Sequence, residues 1–257
     1  MASKRRKHSK KRVAPKTGKR RTATRVSRKK KTLTKRVARK PAPAKKKARP
    51  TRVSSSKTGS LPIKIELRRR LRARRSQLTA EEQRFAAERV AANLAATRAF
   101  RVSRRIACYY PSDGEIDPRP ILARIARMRK QAFLPVLSRL TSNRLWFAPF
   151  TSDTELRPNR FGILEPQVEP ARLVRAEDLD LLLLPLVAFD PKGNRLGRGA
   201  GYYDRSLAFR RYRRHMRKPH LLGLAHDFQR VPALPIDAWD VPLDGIVTDR
   251  SVYDTAR

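Results

Sequence analysis

The sequence predicts an α/β fold, a mostly parallel sheet with helices on both faces, preceded by a disordered basic tail. Three observations carry this reading. Apolar runs of strand length alternate with helical stripes through residues 61–257. One run, Asp180–Asp190, is apolar almost throughout, as a strand covered on both faces is. Residues 1–60 hold 26 of the 63 Lys and Arg and none of the 22 Asp and Glu.

The chain therefore divides into a tail, 1–60, and a folded domain, 61–257, which keeps 37 basic and 22 acidic residues. Tail clusters such as Lys4–Lys7, Arg28–Lys31 and Lys45–Lys47 recur without a period. Large apolar residues are too few there to offset the entropy of ordering the chain. Such a segment suits polyanions: each Lys or Arg on a phosphate releases counterions, with little regard for base sequence. Non-specific nucleic-acid contact, with nucleoid association, is expected of the tail; a solvated extension is the alternative.

In the folded part, Ile63, Leu67 and Leu71 lie four apart and predict a helix over Leu61–Gln77, with Pro62 in its first turn. Thr79-Ala80-Glu81-Glu82 is a capping box that starts a second helix, whose apolar face is Ala87, Val90, Ala91 and Leu94. Arg105–Tyr110 reads as a strand. Asp117-Pro118 starts a third helix, with Ile121, Leu122, Ile125 and Met128 on one side. Ala132–Leu137 and Leu145–Phe150 read as strands, Asp180–Asp190 as a long one, Tyr202–Tyr212 as a helix, and Leu221–His226 and Gly245–Thr248 as the last two strands. This order is that of a Rossmann-like three-layer fold. Ligands in such folds bind at the carboxyl ends of strands, here the loops after Tyr110, Phe189 and His226.

The single cysteine, Cys108, excludes an internal disulfide and any Cys-pair zinc site. It lies in an apolar run and reads as a small buried hydrophobe rather than a nucleophile. No apolar stretch approaches a membrane span. A cytoplasmic monomer with no membrane contact is expected. The four histidines, His8, His215, His220 and His226, have no metal-site spacing; His226 ends a strand and could line the cleft.

The loop after Phe189 carries the chemistry. Glycines stand at 193, 197, 199 and 201, interleaved with Arg195 and Arg198, and Asp204 follows. Glycine lets backbone approach an anion, successive amides form a nest, and guanidinium groups match phosphate geometry. A helix after Gly201 would add its dipole. The loop is neither a P-loop nor a dinucleotide fingerprint; a phosphate cradle and an arginine-solubilised turn are the two readings. Asp204 suits a magnesium ion beside a triphosphate, or simply a first helical turn. Asp244, before the last strand, is a second magnesium candidate or a turn cap. Lys64 and Arg68 share a helix face and can reach one anion, or form a solvated basic face with Arg69, Arg70, Arg72, Arg74 and Arg75.

These segments together resemble the 5-formyltetrahydrofolate cyclo-ligase (methenyltetrahydrofolate synthetase) family. The likeness rests on Lys64–Arg68, Tyr109–Asp117, Asn159–Pro166, Arg195–Asp204 and Trp239–Thr248, in register over about residues 61–250. It implies an ATP- and Mg²⁺-dependent ligase that converts 5-formyltetrahydrofolate to 5,10-methenyltetrahydrofolate, ADP and phosphate. It implies ATP contacts for Lys64, Arg68, Arg195, Leu196, Gly197, Arg198, Gly199, Ala200, Gly201, Tyr202 and Tyr203. It places folate against Tyr110, Glu115 and Arg198–Tyr202, catalysis on Arg198 and Tyr202, and magnesium on Asp204 and Asp244. Glu115 can accept two hydrogen bonds from a pterin edge; an exposed loop acid is its plainer role. Tyr202 and Tyr203 can stack on a ring or pack under the loop. Ala200 stands where many members have Lys or Gly, which removes a phosphate contact and disfavours positive φ. The family says nothing of the tail. The rival readings are a nucleic-acid-binding protein with a degenerate enzyme domain, favoured by the tail, and a small-molecule kinase, favoured by the loop alone.

Overall fold

The computed structural model describes residues 57–137, 144–212 and 218–255. The predicted tail, and with it His8, lies outside the described residues except for its last four, which open the first helix. His215 also lies outside them.

Helix α1, Lys57–Ser76, begins earlier than its apolar stripe predicts and runs through Pro62, which forgoes one amide bond. Helix α2, Ala80–Ala96, starts at the expected capping box: Thr79 Oγ1 accepts the Glu82 amide at 3.2 Å and the Glu82 carboxylate accepts the Thr79 amide at 2.8 Å. Its predicted apolar face is buried. Helix α3, Arg98–Val102, follows.

Strand β1 is only Arg105–Ala107. It stops short of Tyr110 because the chain turns: the Tyr109 hydroxyl donates to the Ile116 carbonyl at 2.6 Å and closes the loop. Helix α4, Arg119–Arg127, buries Ile121 and Ile125, while Met128 is exposed at its C-cap rather than on the apolar side. Strands β2, Gln131–Leu137, and β3, Leu145–Phe150, are antiparallel. A small hairpin, β4 Leu156–Pro158 with β5 Leu164–Pro166, carries no marked alternation and is not predicted.

The apolar run Asp180–Asp190 is two strands, not one. Strand β6, Leu181–Pro185, ends at the proline, and β7, Ala188–Phe189, pairs instead with β8, Arg195–Leu196, in a hairpin. The expected helix Tyr202–Tyr212 is likewise two short ones, α5 Tyr202–Ser206 and α6 Phe209–Tyr212. Strands β9, His220–Ala225, and β10, Gly245–Thr248, are followed by an unpredicted antiparallel edge strand, β11 Val252–Asp254.

The main sheet runs β11-β10-β9-β6-β1-β2-β3, parallel from β10 through β2. Leu181 and Leu183 of β6 pack with α2 and α4, and Leu182 and Leu184 face the opposite layer. Among the described residues, that second layer is formed by the short α5–α6 region, a single helical turn at Ala176–Asp178 and loops. A third cluster docks α1 through Leu71 onto Val187, Ala188 and Leu196. Cys108 lies in the core, and burial pushes its thiol pKa well up, which removes it as a nucleophile.

Asp180 ties the amino ends of the central strands. Its Oδ2 accepts the amides of Arg104 and Arg105, each at 2.9 Å, and Oδ1 accepts Lys218 at 2.7 Å. Burial pushes its carboxyl up, but the Lys218 bond and the two amides outweigh this and hold it at about 2. The folded-state pKa lies below the unfolded one near about 4, so this contribution to stability is complete above that value. It is lost as pH falls toward about 2. Chemical denaturation at a series of pH values is expected to show Asp180→Asn less stable than the parent at pH 7, with the difference closing between about pH 4 and about pH 2.

Candidate active site

The hairpin that carries Arg195 is built on Asp190, which is 2% exposed. Its Oδ1 accepts the amides of Lys192 and Asn194 at 2.9 and 3.0 Å, and its Oδ2 accepts the Asn194 side chain at 2.9 Å and the Leu234 amide at 3.1 Å. One buried carboxylate thus shapes the turn and joins it to the segment after β9. Sequence reasoning missed this role, although an Asp two and four residues ahead of amides is a familiar turn former.

Beyond β8 the chain is exposed from Arg198 to Ala200. Gly199 has φ 109° and Gly201 φ 67°, conformations that side chains resist. Ala200 is not among the positive-φ residues, so the expected penalty there does not arise. Gly201 caps α5, which spans five residues; that is too short to supply the expected dipole.

Helix α1 closes against this loop. Arg68 Nε donates to the Gly197 carbonyl at 2.9 Å, and Lys64, 9% exposed, bonds Asp237 at 2.7 Å and Asp240 at 3.4 Å. Arg195 Nη2 pairs with Asp204 Oδ1 at 2.7 Å, while its buried Nε has no hydrogen-bond partner among the described residues. Asp204 Oδ1 also accepts the Val241 amide at 3.3 Å. Asp237 and Asp240 were not among the predicted residues; their signal was a pair of acids beside Trp239 in an otherwise basic chain. A shallow groove runs along α1 past Ile65, Arg68, Arg69 and Arg72.

Arg198 crosses to the β1–α4 turn, donating to Ser112 Oγ at 2.6 Å. Ser112 in turn donates its amide to Glu115 Oε2 at 3.2 Å. Glu115 is buried rather than an exposed loop acid. Burial raises its pKa, against the pull of Arg75, Arg198 and Ser112. Tyr110 is half-buried on the same loop, packed against the core. His226, at the end of β9, faces this turn with Nε2 3.3 Å from the Gly114 carbonyl. Burial lowers its pKa, which favours the neutral ring.

The Asn159–Gly162 turn reaches the same place. Arg160 bonds the Tyr202 hydroxyl, and the Phe161 and Tyr202 rings meet edge to face with centroids 6.0 Å apart. Asn159 and the Leu137 amide hold Glu165 Oε1 at 2.7 and 2.9 Å. Tyr203 points inward and packs on the second core layer, so of the two tyrosines only Tyr202 meets a partner at the loop's outer side.

Asp244 is placed differently. It precedes β10 at the amino ends of the parallel strands, where Arg210 Nη2 bonds both its oxygens at 3.0 and 3.1 Å and the Leu221 amide donates to Oδ2 at 2.8 Å. Glu115 follows the carboxyl end of β1. Among the described residues no group of three or more His, Cys, Asp or Glu is arranged to hold a metal.

The segments Lys64–Arg68, Ser112–Glu115, Asn159–Phe161 and Arg195–Asp204 thus converge on one cleft. Residues 61–249 match the family model for the 5-formyltetrahydrofolate cyclo-ligase family. The chain belongs to the 5-formyltetrahydrofolate cyclo-ligase family. The 5-formyltetrahydrofolate cyclo-ligase of Escherichia coli K12 is 35% identical over 184 residues, 72% of this chain and 99% of that protein. The Mus musculus protein of the same name is 32% identical over 205 residues, 77% and 96% of the two chains. In fold, the chain is similar to the 5,10-methenyltetrahydrofolate synthetase of Aquifex aeolicus, with TM-score 0.64, 35% identity, and 76% and 94% of the two chains covered. As a cyclo-ligase family member the chain is an enzyme of the ligase class.

Removing the Asp190 carboxylate leaves four donors without their acceptor. Asp190→Ala is expected to destabilise the fold by about 2–4 kcal/mol in denaturant titrations. It should also speed proteolytic cleavage within 190–204 under native conditions.

Proposed function

We propose that this enzyme converts 5-formyltetrahydrofolate and ATP to 5,10-methenyltetrahydrofolate, ADP and phosphate, with Mg²⁺. One observation carries the reading. Four cations, Lys64, Arg68, Arg195 and Arg198, surround a glycine loop that is joined by Arg198 and Ser112 to the buried Glu115. A triphosphate end and a pterin end are thereby adjacent.

The formyl oxygen attacks the γ-phosphorus and ADP leaves. The N10 amine then attacks the activated carbon, loses its proton, and the C–O bond to phosphate breaks. Phosphoryl transfer asks mainly for positioning and charge neutralisation. Lys64 and Arg68 take the phosphates with the amides of Arg195–Tyr203. Arg198 and Tyr202 stand where the two substrates meet and are the catalytic candidates. Glu115, with Tyr110 beside it, accepts the pterin donors.

A magnesium ion bound here would neutralise charge on the phosphates and would be held by one or two protein carboxylates. Asp204 suits that role, since its Oδ1 is bound while Oδ2 accepts no hydrogen bond from a described residue. Asp244 would have to give up Arg210 and the Leu221 amide, so we assign it to anchoring β9 and β10.

Turnover, read by the absorbance of the methenyl product, is expected only with both ATP and Mg²⁺; its absence at high enzyme concentration would sink the proposal. Glu115→Gln is expected to raise KM for 5-formyltetrahydrofolate at least tenfold and to leave KM for ATP within twofold. Because burial raises the Glu115 pKa, folate affinity should decline on acidification at a higher pH than an ordinary glutamate would dictate. The basic tail adds salt-sensitive, non-specific nucleic-acid binding in the proposal, supported by its charge alone. Electrophoretic shifts should vanish on deleting residues 1–60; equal binding by the truncated protein refutes that part.

A further inference from the structure

The Arg75 guanidinium has none of the roles above. Residues 64, 68, 71 and 75 fall on one face of α1, so the helix carries Lys64 and Arg68 at the loop and Arg75 a further turn and more along. Its side chain is 0% exposed. Nη2 donates to Asp113 Oδ2 at 2.8 Å, Nη1 reaches the Leu186 carbonyl at 3.4 Å, and Nε is buried without a hydrogen-bond partner among the described residues. An incompletely paired buried guanidinium is costly, and an apolar side chain there would be cheaper.

What Arg75 supports is a strained turn. Asp113 and Gly114 have φ 56° and 68°. A Cβ on Gly114 would lie 3.2 Å from Arg75 Cβ and 3.3 Å from the Arg75 carbonyl. Arg72 holds Asp113 Oδ2 from the outside at 2.6 Å. Glu115, the next residue, is buried and feels the Arg75 charge.

We infer that Arg75 is a positioning residue for the folate site: it fixes the Asp113–Gly114 turn so that Glu115 meets the pterin edge, and it does not act on the nucleotide site. This rests on the folate reading of Glu115 given above.

Steady-state kinetics with each substrate varied tests it, with thermal melting as a check on folding. Arg75→Gln is expected to raise KM for 5-formyltetrahydrofolate at least tenfold with KM for ATP within twofold, and Arg75→Lys to recover most of the loss. Where Arg75→Gln fails to fold, Asp113→Asn weakens the same contact from the exposed side and should give the same split on a smaller scale. A normal folate KM in the folded variants, or an equal rise for both substrates, overturns the inference alone. An unsubstituted protein that does not turn over 5-formyltetrahydrofolate removes the folate reading and this inference with it.

Discussion

Clustered positive charge must be balanced before a ligand arrives, and that constraint organises the cleft. Lys64 is held by Asp237 and Asp240, Arg68 by the Gly197 carbonyl, Arg195 by Asp204 and Arg198 by Ser112. Lys64, Arg68 and Arg198 each reach a partner on another segment, and Arg195 pairs within its own loop, so the contacts that satisfy these cations also assemble the site. Such pairs hold charges ready and geometrically fixed, and an incoming anion meets cations that need little reordering.

The fold provides the frame for those pairs. Short parallel strands end together, and their loops must turn sharply at the carboxyl edge. Pro185 ends β6, Asp190 shapes the next hairpin, and the Tyr109 hydroxyl closes the loop after β1. Helix α1 is not part of the layer that covers the sheet beside α2 and α4. It docks through Leu71 onto the β7–β8 hairpin, which brings its basic face to the glycine loop. The opposite edge of the sheet is fixed by Asp180 and Asp244, each binding a cation and strand amides.

Much of this was legible in residue order. The Thr79 box, the α2 stripe and the alternating elements follow from local rules, and the glycine–arginine loop marked the cleft. Legibility failed where tertiary contacts overrule pattern. The Asp180–Asp190 run reads as one strand because burial on both faces hides the turn at Pro185. Strand β11 and the β4–β5 hairpin are too short to show a period. Arg75 was lost among Arg69, Arg70, Arg72 and Arg74, although its offset from Lys64 and Arg68 put it on their face. Asp237, the nearer of Lys64's two acids, lies 173 residues from it in the chain, and no local rule links such positions.

The central claim is that the glycine loop and the α1 cations form the nucleotide end of a two-substrate cleft, with Glu115 at the folate end. Hydrogen–deuterium exchange of the full chain with each ligand tests it most directly. ATP with Mg²⁺ is predicted to slow exchange in 195–204 and in 237–241. 5-Formyltetrahydrofolate alone should slow it in 109–117. ATP that protects 109–117 while leaving 195–204 unchanged would contradict the account.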